Sequence, residues 1–255
     1  MKGLLKFISP VFTYSKLKEF FSTVVFATIF AFLFQTFLYQ PFKIPSGSMK
    51  PGLQIGDYLF VEKFAYGYSN SSLSFMLNRF DIFSDMFFYD EPKKGDIIVF
   101  LLPKDSSTHY IKRLIGLPGD EIQMKEGQLY INGITVKKEY QGQKTSIKEG
   151  GILNIKDIYR ETLPNGVSYS IHTYHNENKL KFPNDTPVYK VPENHYFFMG
   201  DNRDNSIDSR FLKDVGFVHK SRILGKAKVL FWTRDFSIFD FITKLETNRA
   251  FKFIK

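Results

Sequence analysis

The sequence contains no cysteine and only one tryptophan among its 255 residues. Without cysteine the chain cannot form a disulfide bond, use a thiolate nucleophile or build a zinc site with cysteine ligands. Charged residues make up 24% and hydrophobic residues 43%, which is typical of a folded protein. The 29 phenylalanines are in excess, and they favour a protein that touches lipid, because aromatic rings sit well at a membrane interface.

Acidic residues are comparatively few, with 26 against 35 lysines and arginines, so the net charge is +9. Such a balance is typical of a solvated basic surface, of attraction to anionic lipid, or of nucleic-acid binding. The chain carries no recognisable nucleic-acid-binding motif, so we expect no nucleic-acid partner.

One long stretch, residues 20–40, carries no charged residue at all. A helix of about 20 residues spans the hydrocarbon core of a bilayer. A buried core helix is the alternative, but the stretch shows no polar stripe, so such a helix would need packing partners on every face. The run is too long for the apolar part of a typical signal peptide, and no small-x-small cleavage pattern follows it. We therefore predict an uncleaved transmembrane anchor at 19–40 that Pro41 ends.

The flanking charges predict how the anchor is oriented. Residues 1–18 contain four lysines, and with Glu19 this short segment carries a charge of +3. Positive flanks stay in the cytoplasm. We therefore expect a cytoplasmic tail at 1–18 and an exported domain at 41–255.

After the anchor the pattern is mainly that of β-strands. Residues 57–63 are rich in β-forming side chains, and 97–102 form a continuous apolar run typical of a buried strand. Asn132-Gly133 lies between two short apolar segments and predicts a tight hairpin, and Asn165-Gly166 predicts a second one. No long helical periodicity or internal repeat follows the anchor. The predicted class is mainly β with one N-terminal transmembrane helix.

Two aromatic stretches, 67–91 and 231–253, do not fit this pattern. Either they form local core clusters, or they rest on the membrane surface, because exposed aromatic side chains in water are a liability.

The segment Pro45-Ser46-Gly47-Ser48-Met49-Lys50 follows the anchor directly. Proline restricts φ and glycine permits φ values that other residues avoid, so the serines are predicted to lie on a turn. Because the segment follows the predicted anchor, this turn would lie just outside the membrane. The same composition is also ordinary linker chemistry.

A nucleophilic serine needs a base, and none of the five histidines has the sequence context of a catalytic triad. His172 and His175 have metal-ligand spacing, but no carboxylate is placed as an obvious third ligand, so we expect no metal. Ser15 and Lys18 match a Ser-x-x-Lys pattern only within the predicted cytoplasmic flank, far from the exported domain.

Lys112 is the strongest candidate base. In a strand, Tyr110, Lys112 and Leu114 share one face, while Ile111 and Arg113 point the other way. A lysine between such apolar neighbours is costly as a cation, and burial lowers its pKa toward that of a useful base. A lysine that snorkels to water is the alternative.

A third polar stretch, 199–210, holds three Asp, two Arg, two Asn and two Ser. A polar surface loop is the ordinary interpretation. It follows the apolar residues 196–198, however, so its start is predicted to be buried, and buried charges must be paired. Pairing of Asp with Arg within the stretch would meet that need.

These three stretches together resemble bacterial signal peptidase I, the leader peptidase with a Ser/Lys dyad. Residues 45–49, 56–57 and 61–63 resemble its serine motif, and Tyr110 to Arg113 with 116–120 resemble its lysine motif. Residues 200–206 with 208–210 resemble its third signature. The resemblance covers the chain from the anchor to Gly225, without motifs at 64–93 and 137–190.

The resemblance implies coiled antiparallel β-sheets, with a variable β subdomain at about 121–191. It implies a monomer in the bacterial inner membrane, with the catalytic domain on the periplasmic side, in contact with membrane lipid. Its substrates would be the signal peptides of preproteins, cut after Ala-x-Ala through an acyl-enzyme, without a cofactor or metal.

The resemblance also implies residue roles. Ser48 would be the nucleophile and Lys112 its general base, while Ser46 would donate to the oxyanion. Ser206 would orient the Lys112 amine, and Asp208 with Arg210 would brace that loop. The pockets for small substrate side chains would be lined by Ile44, Met49, Leu53, Tyr110 and Ile111.

One departure accompanies the resemblance: residues 211–215 intervene before Gly216 as a small insertion. Two rival functions share some of these features. A self-cleaving repressor uses the same Ser/Lys chemistry but needs a DNA-binding region and no anchor. An inactive anchored module that binds leader peptides requires neither Ser48 nor Lys112.

Overall fold

A computed structural model describes residues 14–73, 86–105, 107–147, 153–174, 183–233, 249 and 251–254. Its first element is helix α1, Tyr14–Phe37, whose apolar side chains are almost all exposed. The 23 residues Ser15–Phe37 contain an 18-residue window with a mean hydropathy of 1.9, and the segment is long enough to cross a membrane. The predicted end of the helix at Pro41 is wrong, because the helix ends at Phe37.

Pro41 lies instead in the first strand, β1, Tyr39–Lys43, opposite Phe60. Among the described residues β1 pairs on one side alone, so it is an edge strand, where proline's missing N–H costs no ladder hydrogen bond.

The other strands are β2 Tyr58–Glu62, β3 Ile97–Leu101, β4 His109–Gly116, β5 Glu121–Lys125, β6 Gln128–Ile131, β7 Ile134–Thr135, β8 Lys137–Ile147, β9 Leu153–Thr162, β10 Ser168–Tyr174, β11 Tyr189–Lys190, β12 His195–Met199, β13 Val218–His219, β14 Ile223–Trp232 and β15 Lys252–Phe253.

The described strands form three antiparallel sheets. The largest has the order β1-β2-β14-β3-β4-β12-β13, with β15 beside β14. The two smaller sheets, β10-β9-β8 and β11-β5-β6-β7, come from the region predicted as a variable subdomain. The mainly β class with one N-terminal helix is confirmed.

Both hairpins are also confirmed. Asn132 and Gly133 join β6 to β7 with φ of 54° and 74°, conformations that asparagine and glycine tolerate best. Asn165 and Gly166 lie in the turn between β9 and β10, which the Leu163 N–H closes by donating to the Val167 carbonyl at 2.9 Å.

Strand β4 lies at the junction of three hydrophobic clusters. Ile111 belongs to the cluster under β1 and β2, whereas Leu114 and the half-buried Tyr110 pack with Phe100 and Phe198. The third cluster, which includes Ile115, joins β4 to the smaller sheets. The alternating faces predicted for this strand are therefore present, and both faces of β4 are covered beyond residue 110.

The C-terminal end of α1 is fastened to the large sheet by a buried lysine. Lys63 donates to the Gln40 Oε1 at 3.0 Å and to the Gln35 carbonyl at 3.4 Å. A cation at a helix C-terminus is favourable, while burial lowers the pKa of Lys63 to about 8. The Tyr68 hydroxyl adds a bond of 2.7 Å to the Phe37 carbonyl. The large sheet is thereby held close to the C-terminal end of α1.

Residues 67–73 of the first aromatic stretch are buried or half-buried, whereas several aromatic rings at 87–89 and near the C-terminus are exposed. Phe87 pairs its backbone with Tyr68, yet its ring is 53% exposed and that of Phe88 is 78% exposed. Trp232 and Phe253 are exposed as well. Residues 74–85 and 234–248 lie outside the described residues.

Candidate active site

The turn that carries Ser48 is held by its own backbone. The Ile44 N–H donates to the Asp57 carbonyl at 2.8 Å, and the Gly56 N–H donates to the Ile44 carbonyl at 2.9 Å, which closes the loop from both ends. The Asp57 carboxylate accepts from the Gln54 N–H at 2.7 Å. Ser48 is buried, and its Oγ lies 3.2 Å from the Ser46 Oγ.

Lys112 reaches this serine from β4. Its Nζ donates to the Ser48 Oγ at 2.8 Å and to the Ile111 carbonyl at 3.1 Å. It also lies 4.9 Å from the centre of the Tyr110 ring, on the shared strand face. The predicted pair, 64 residues apart in sequence, is therefore in direct contact.

The environment of Lys112 favours the neutral amine. The side chain is 4% exposed, and burial lowers the pKa of Lys112 to about 8. The carboxylates of Asp208 and Asp201 raise the pKa of Lys112, whereas the Arg210 guanidinium lowers it further. Neither carboxylate forms an ion pair with the amine in the described structure. A base poised near neutral pH can take a proton from a serine hydroxyl.

Asn202, which the sequence did not single out, fixes the backbone around Ser48. Its N–H donates to the Ser48 carbonyl at 2.9 Å, and its Nδ2 donates to the Gly47 carbonyl at 2.7 Å. Asn202 lies in the polar stretch 199–210, but a side-chain amide can bond in many directions, so composition alone did not indicate this partner.

Gly200 permits the close approach of this loop. A Cβ built on Gly200 would lie 2.2 Å from the Ser206 Oγ and 2.7 Å from the Ser48 carbonyl oxygen, both too short for real atoms. Any side chain at this position would push the loop away from the nucleophile.

Ser206 lies next to Gly200, but the hydrogen bond predicted from Ser206 to the Lys112 amine is not formed. The amine donates instead to Ser48 and to the Ile111 carbonyl. The Ser206 Oγ is buried and lies beside the Asp208 carboxylate, where its hydrogen bond helps to lower the pKa of Asp208. The Lys112 nitrogen can form a further hydrogen bond beyond the two described, so an orienting role for Ser206 stays a prediction.

Asp208 and Arg210 form the predicted pair. Arg210 donates through Nε and Nη2 to the two carboxylate oxygens of Asp208 at 2.8 and 2.9 Å, and both side chains are buried. Burial opposes ionisation of Asp208, but Arg210 and the Gly200 N–H at 3.0 Å outweigh it and lower the pKa of Asp208. The insertion 211–215 folds as a turn on the Phe211 carbonyl and leaves this pair intact.

The other charges of the stretch find partners outside it. Arg113 on β4 donates to both oxygens of Asp201 at 2.9 and 2.8 Å and to the Gly95 carbonyl at 2.7 Å. Arg203 pairs with Glu161 on β9. Pairing within the stretch was therefore predicted correctly for Asp208 alone, because the partners of Asp201 and Arg203 come from distant strands.

A cleft of about 450 Å³ opens at the Ser48–Lys112 pair. Tyr110 and Ile111 line it as predicted, together with the unpredicted residues Asn205 and Ile207. Ile44 lines an adjacent cleft, while Met49 and Leu53 are buried in the core beneath, so their contact with a substrate stays a prediction.

Two strand edges face this cleft. β12 pairs with β4 from Arg113 onward, which leaves the first half of β4 open on that side in the described structure. The other edge is β1, whose Phe42 ring lies 5.4 Å from the ring of His109 on β4. Open edges of this kind can accept an extended peptide as an additional strand.

The described residues contain no group of three histidines, cysteines or carboxylates that could hold a metal ion.

Comparison with known proteins identifies the family of this chain. Residues 17–232 match the family described as "Signal peptidase, peptidase S26". Signal peptidase I of Rickettsia typhi is 40% identical over 92% of this chain and 90% of its own length, and that of Rickettsia prowazekii is 40% identical over 90% and 88%. A crystal structure of a signal peptidase I from Enterococcus faecalis is 26% identical, with a TM-score of 0.32, over 54% of this chain and 97% of that one. The chain belongs to the signal peptidase family S26 and is a serine peptidase.

Proposed function

We propose that this protein removes the N-terminal signal peptides of exported preproteins with a Ser48–Lys112 dyad. The observation that supports the proposal most is the 2.8 Å contact between a buried amine of lowered pKa and a serine hydroxyl at the mouth of a cleft. A module that only binds leader peptides would need neither group. A self-cleaving repressor would not need the apolar helix α1.

In the proposed reaction the neutral Lys112 amine takes the proton of the Ser48 hydroxyl as its oxygen attacks the scissile carbonyl. The Ser48 N–H and the Ser46 hydroxyl donate to the developing oxyanion. The Lys112 ammonium then gives its proton to the leaving amine, and an acyl-enzyme remains. Lys112 next activates a water that releases the signal peptide and restores Ser48.

The substrate would lie as an extended strand between the open edges of β1 and β4. Tyr110 and Ile111 bound the cleft beside the dyad, so large side chains adjacent to the scissile bond would clash with them. The proposed preference is therefore for small residues at positions −1 and −3, the Ala-x-Ala pattern.

Helix α1 would anchor the enzyme in the bacterial inner membrane as a monomer. The lysines that precede the span favour a cytoplasmic N-terminus, so the catalytic sheets would lie on the periplasmic side. The exposed rings of Phe87, Phe88 and Phe253 would rest against lipid. The site would thereby meet a signal peptide as it leaves the bilayer.

Processing of a preprotein with an Ala-x-Ala site, in detergent, tests the proposal. The wild type is expected to cut it once, after the second alanine, whereas Ser48→Ala is expected to leave it uncut because the attacking oxygen is gone. N-terminal sequencing of the product identifies the scissile bond. Cleavage by Ser48→Ala at the wild-type rate would refute the assignment of the nucleophile.

Ser46→Ala is expected to lower kcat by about 100-fold, because removing one oxyanion donor typically has this effect. KM should change little, since the oxyanion exists only after attack. Ser46→Thr, which keeps the hydroxyl, is the matched control and should retain more activity than alanine. Equal kcat for Ser46→Ala and wild type would remove Ser46 from the oxyanion site.

A further inference from the structure

A group of lysines lies beside the catalytic loop and plays no part in the proposed chemistry. Lys144 on β8 is the direct cross-strand partner of Lys156 on β9, and Tyr174 on β10 follows in the same row. Like charges directly opposite each other destabilise an antiparallel pair. No ion pair involves Lys144 or Lys50 in the part of the chain that the structure describes. The sheet therefore holds a charge repulsion that folding alone does not require.

Lys50 and Asn202 connect this row to the nucleophile. Lys50 follows Ser48 by two residues, and its side-chain carbons lie 3.5 Å from the position of a Cβ on Gly47. The Lys156 Nζ donates to the Asn202 Oδ1 at 2.7 Å, and the Asn202 Nδ2 bonds the Gly47 carbonyl. Lys50, Lys144 and Lys156, here called the lysine cluster, thus adjoin the loop that carries Ser48.

The groups packed against the cluster leave it positive. His172, on the same face of β10 as Tyr174, is buried, and burial together with the three lysines lowers the pKa of His172 to about 4. Its ring is therefore neutral at pH 7. The nearby Asp204 carboxylate accepts from the Tyr174 N–H at 2.8 Å, and neither Lys50 nor Lys144 has a carboxylate at ion-pair distance among the described residues.

The course of the chain shows what would pass this cluster. From the end of α1 the backbone runs along β1 to the turn that carries Ser48. A signal peptide also begins in the membrane, so its residues would follow β1 and reach Ser48 at the scissile bond. The segment after that bond, the start of the mature protein, would then leave the cleft on the side of Lys50 and Asn202.

We infer that the lysine cluster binds acidic side chains in the first few residues of the mature segment and so selects among preproteins. The inference rests on the proposed function. A peptide carboxylate is the favoured occupant over a lipid phosphate, because the cluster adjoins the loop that carries Ser48, through the Asn202 side chain. Such a subsite would contact the mature segment after the scissile bond, which the pockets for small residues at −1 and −3 do not contact.

Two preproteins that are identical up to the cleavage site test the inference. One carries Asp and Glu at the second and third positions after the scissile bond, and the other carries Lys at both. At low ionic strength the wild type should show a kcat/KM about tenfold higher for the acidic substrate, the scale of two exposed ion pairs. Lys156 is left unchanged in these variants because it supports Asn202.

The double variant Lys50→Gln with Lys144→Gln should bring this ratio close to one, and Lys144→Glu should reverse it in favour of the basic substrate. A structural defect would slow both substrates and could not reverse the preference. Lys125→Gln, which removes the same charge from the distant strand β5, is the matched control and should keep the wild-type ratio.

Each outcome decides a different claim. If the wild type cuts both substrates with equal kcat/KM, or if the double variant keeps the tenfold ratio, the lysine cluster is not a subsite. If the wild type cuts neither preprotein, the proposed function itself fails, and the subsite fails with it.

Discussion

Lys112→Met is expected to lower kcat about 10⁴-fold, the scale of losing a member of a nucleophile–base unit. In the proposed mechanism the amine that contacts the Ser48 Oγ at 2.8 Å removes its proton, and methionine offers no base in that position. Steady-state cleavage of an Ala-x-Ala preprotein measures the loss.

Stability should not account for that loss. Lys112 is buried without a carboxylate partner in the described structure, so folding removes an amine from water. Methionine fills a similar volume without the cost of desolvating an amine. The thermal midpoint of Lys112→Met at pH 7 should therefore equal or exceed that of the wild type.

Lys112→Arg separates charge from basicity. Arginine keeps a cation and hydrogen-bond donors, but it stays protonated at any working pH. The Lys112→Arg variant should therefore be as inactive as Lys112→Met. Retention of more than about a tenth of wild-type kcat by arginine would show that Lys112 acts as a cation and not as a base.

Arg113→Met is expected to lower the free energy of unfolding by about 3–5 kcal/mol, because it leaves the buried Asp201 carboxylate without its partner. The side chain of Arg113 also stacks at 4.0 Å on the Tyr169 ring and bonds the Gly95 carbonyl, so the loss includes packing. Thermal unfolding in detergent should show a midpoint lower by about 6–20 °C.

The double variant Arg113→Met with Asp201→Leu should recover much of this stability, since a buried ion pair replaced on both sides is often neutral. The exposed pair Lys104–Asp214 provides the matched control, and Lys104→Gln should change the unfolding free energy by less than about 1 kcal/mol. A single Arg113→Met no more destabilising than this control would contradict the structural role of the pair.

The sequence predicted the features that depend on local patterns. The charge-free run predicted α1, the Asn-Gly pairs predicted the hairpins, and alternation in residues 110–114 predicted the face that Lys112 shares with Tyr110. These patterns reflect periods of side-chain direction within one element, so they can be read without knowing the neighbours.

The sequence could not predict contacts that depend on how distant strands meet. Asn202 supports the nucleophile only because the loop after β12 crosses residues 47–48, and Arg203 finds Glu161 on a different sheet. Pro41 was taken as the end of the helix because proline stops helices, but its tolerance in an edge strand depends on the sheet order.

The pH dependence of kcat/KM tests the central claim, that a neutral Lys112 activates Ser48. Because the lysine must lose its proton to act and burial lowers its pKa to about 8, kcat/KM should rise tenfold per pH unit below about pH 8 and level off above it. A profile that is flat from about pH 6 to pH 10 would contradict the account, because a lysine base cannot work equally well when protonated.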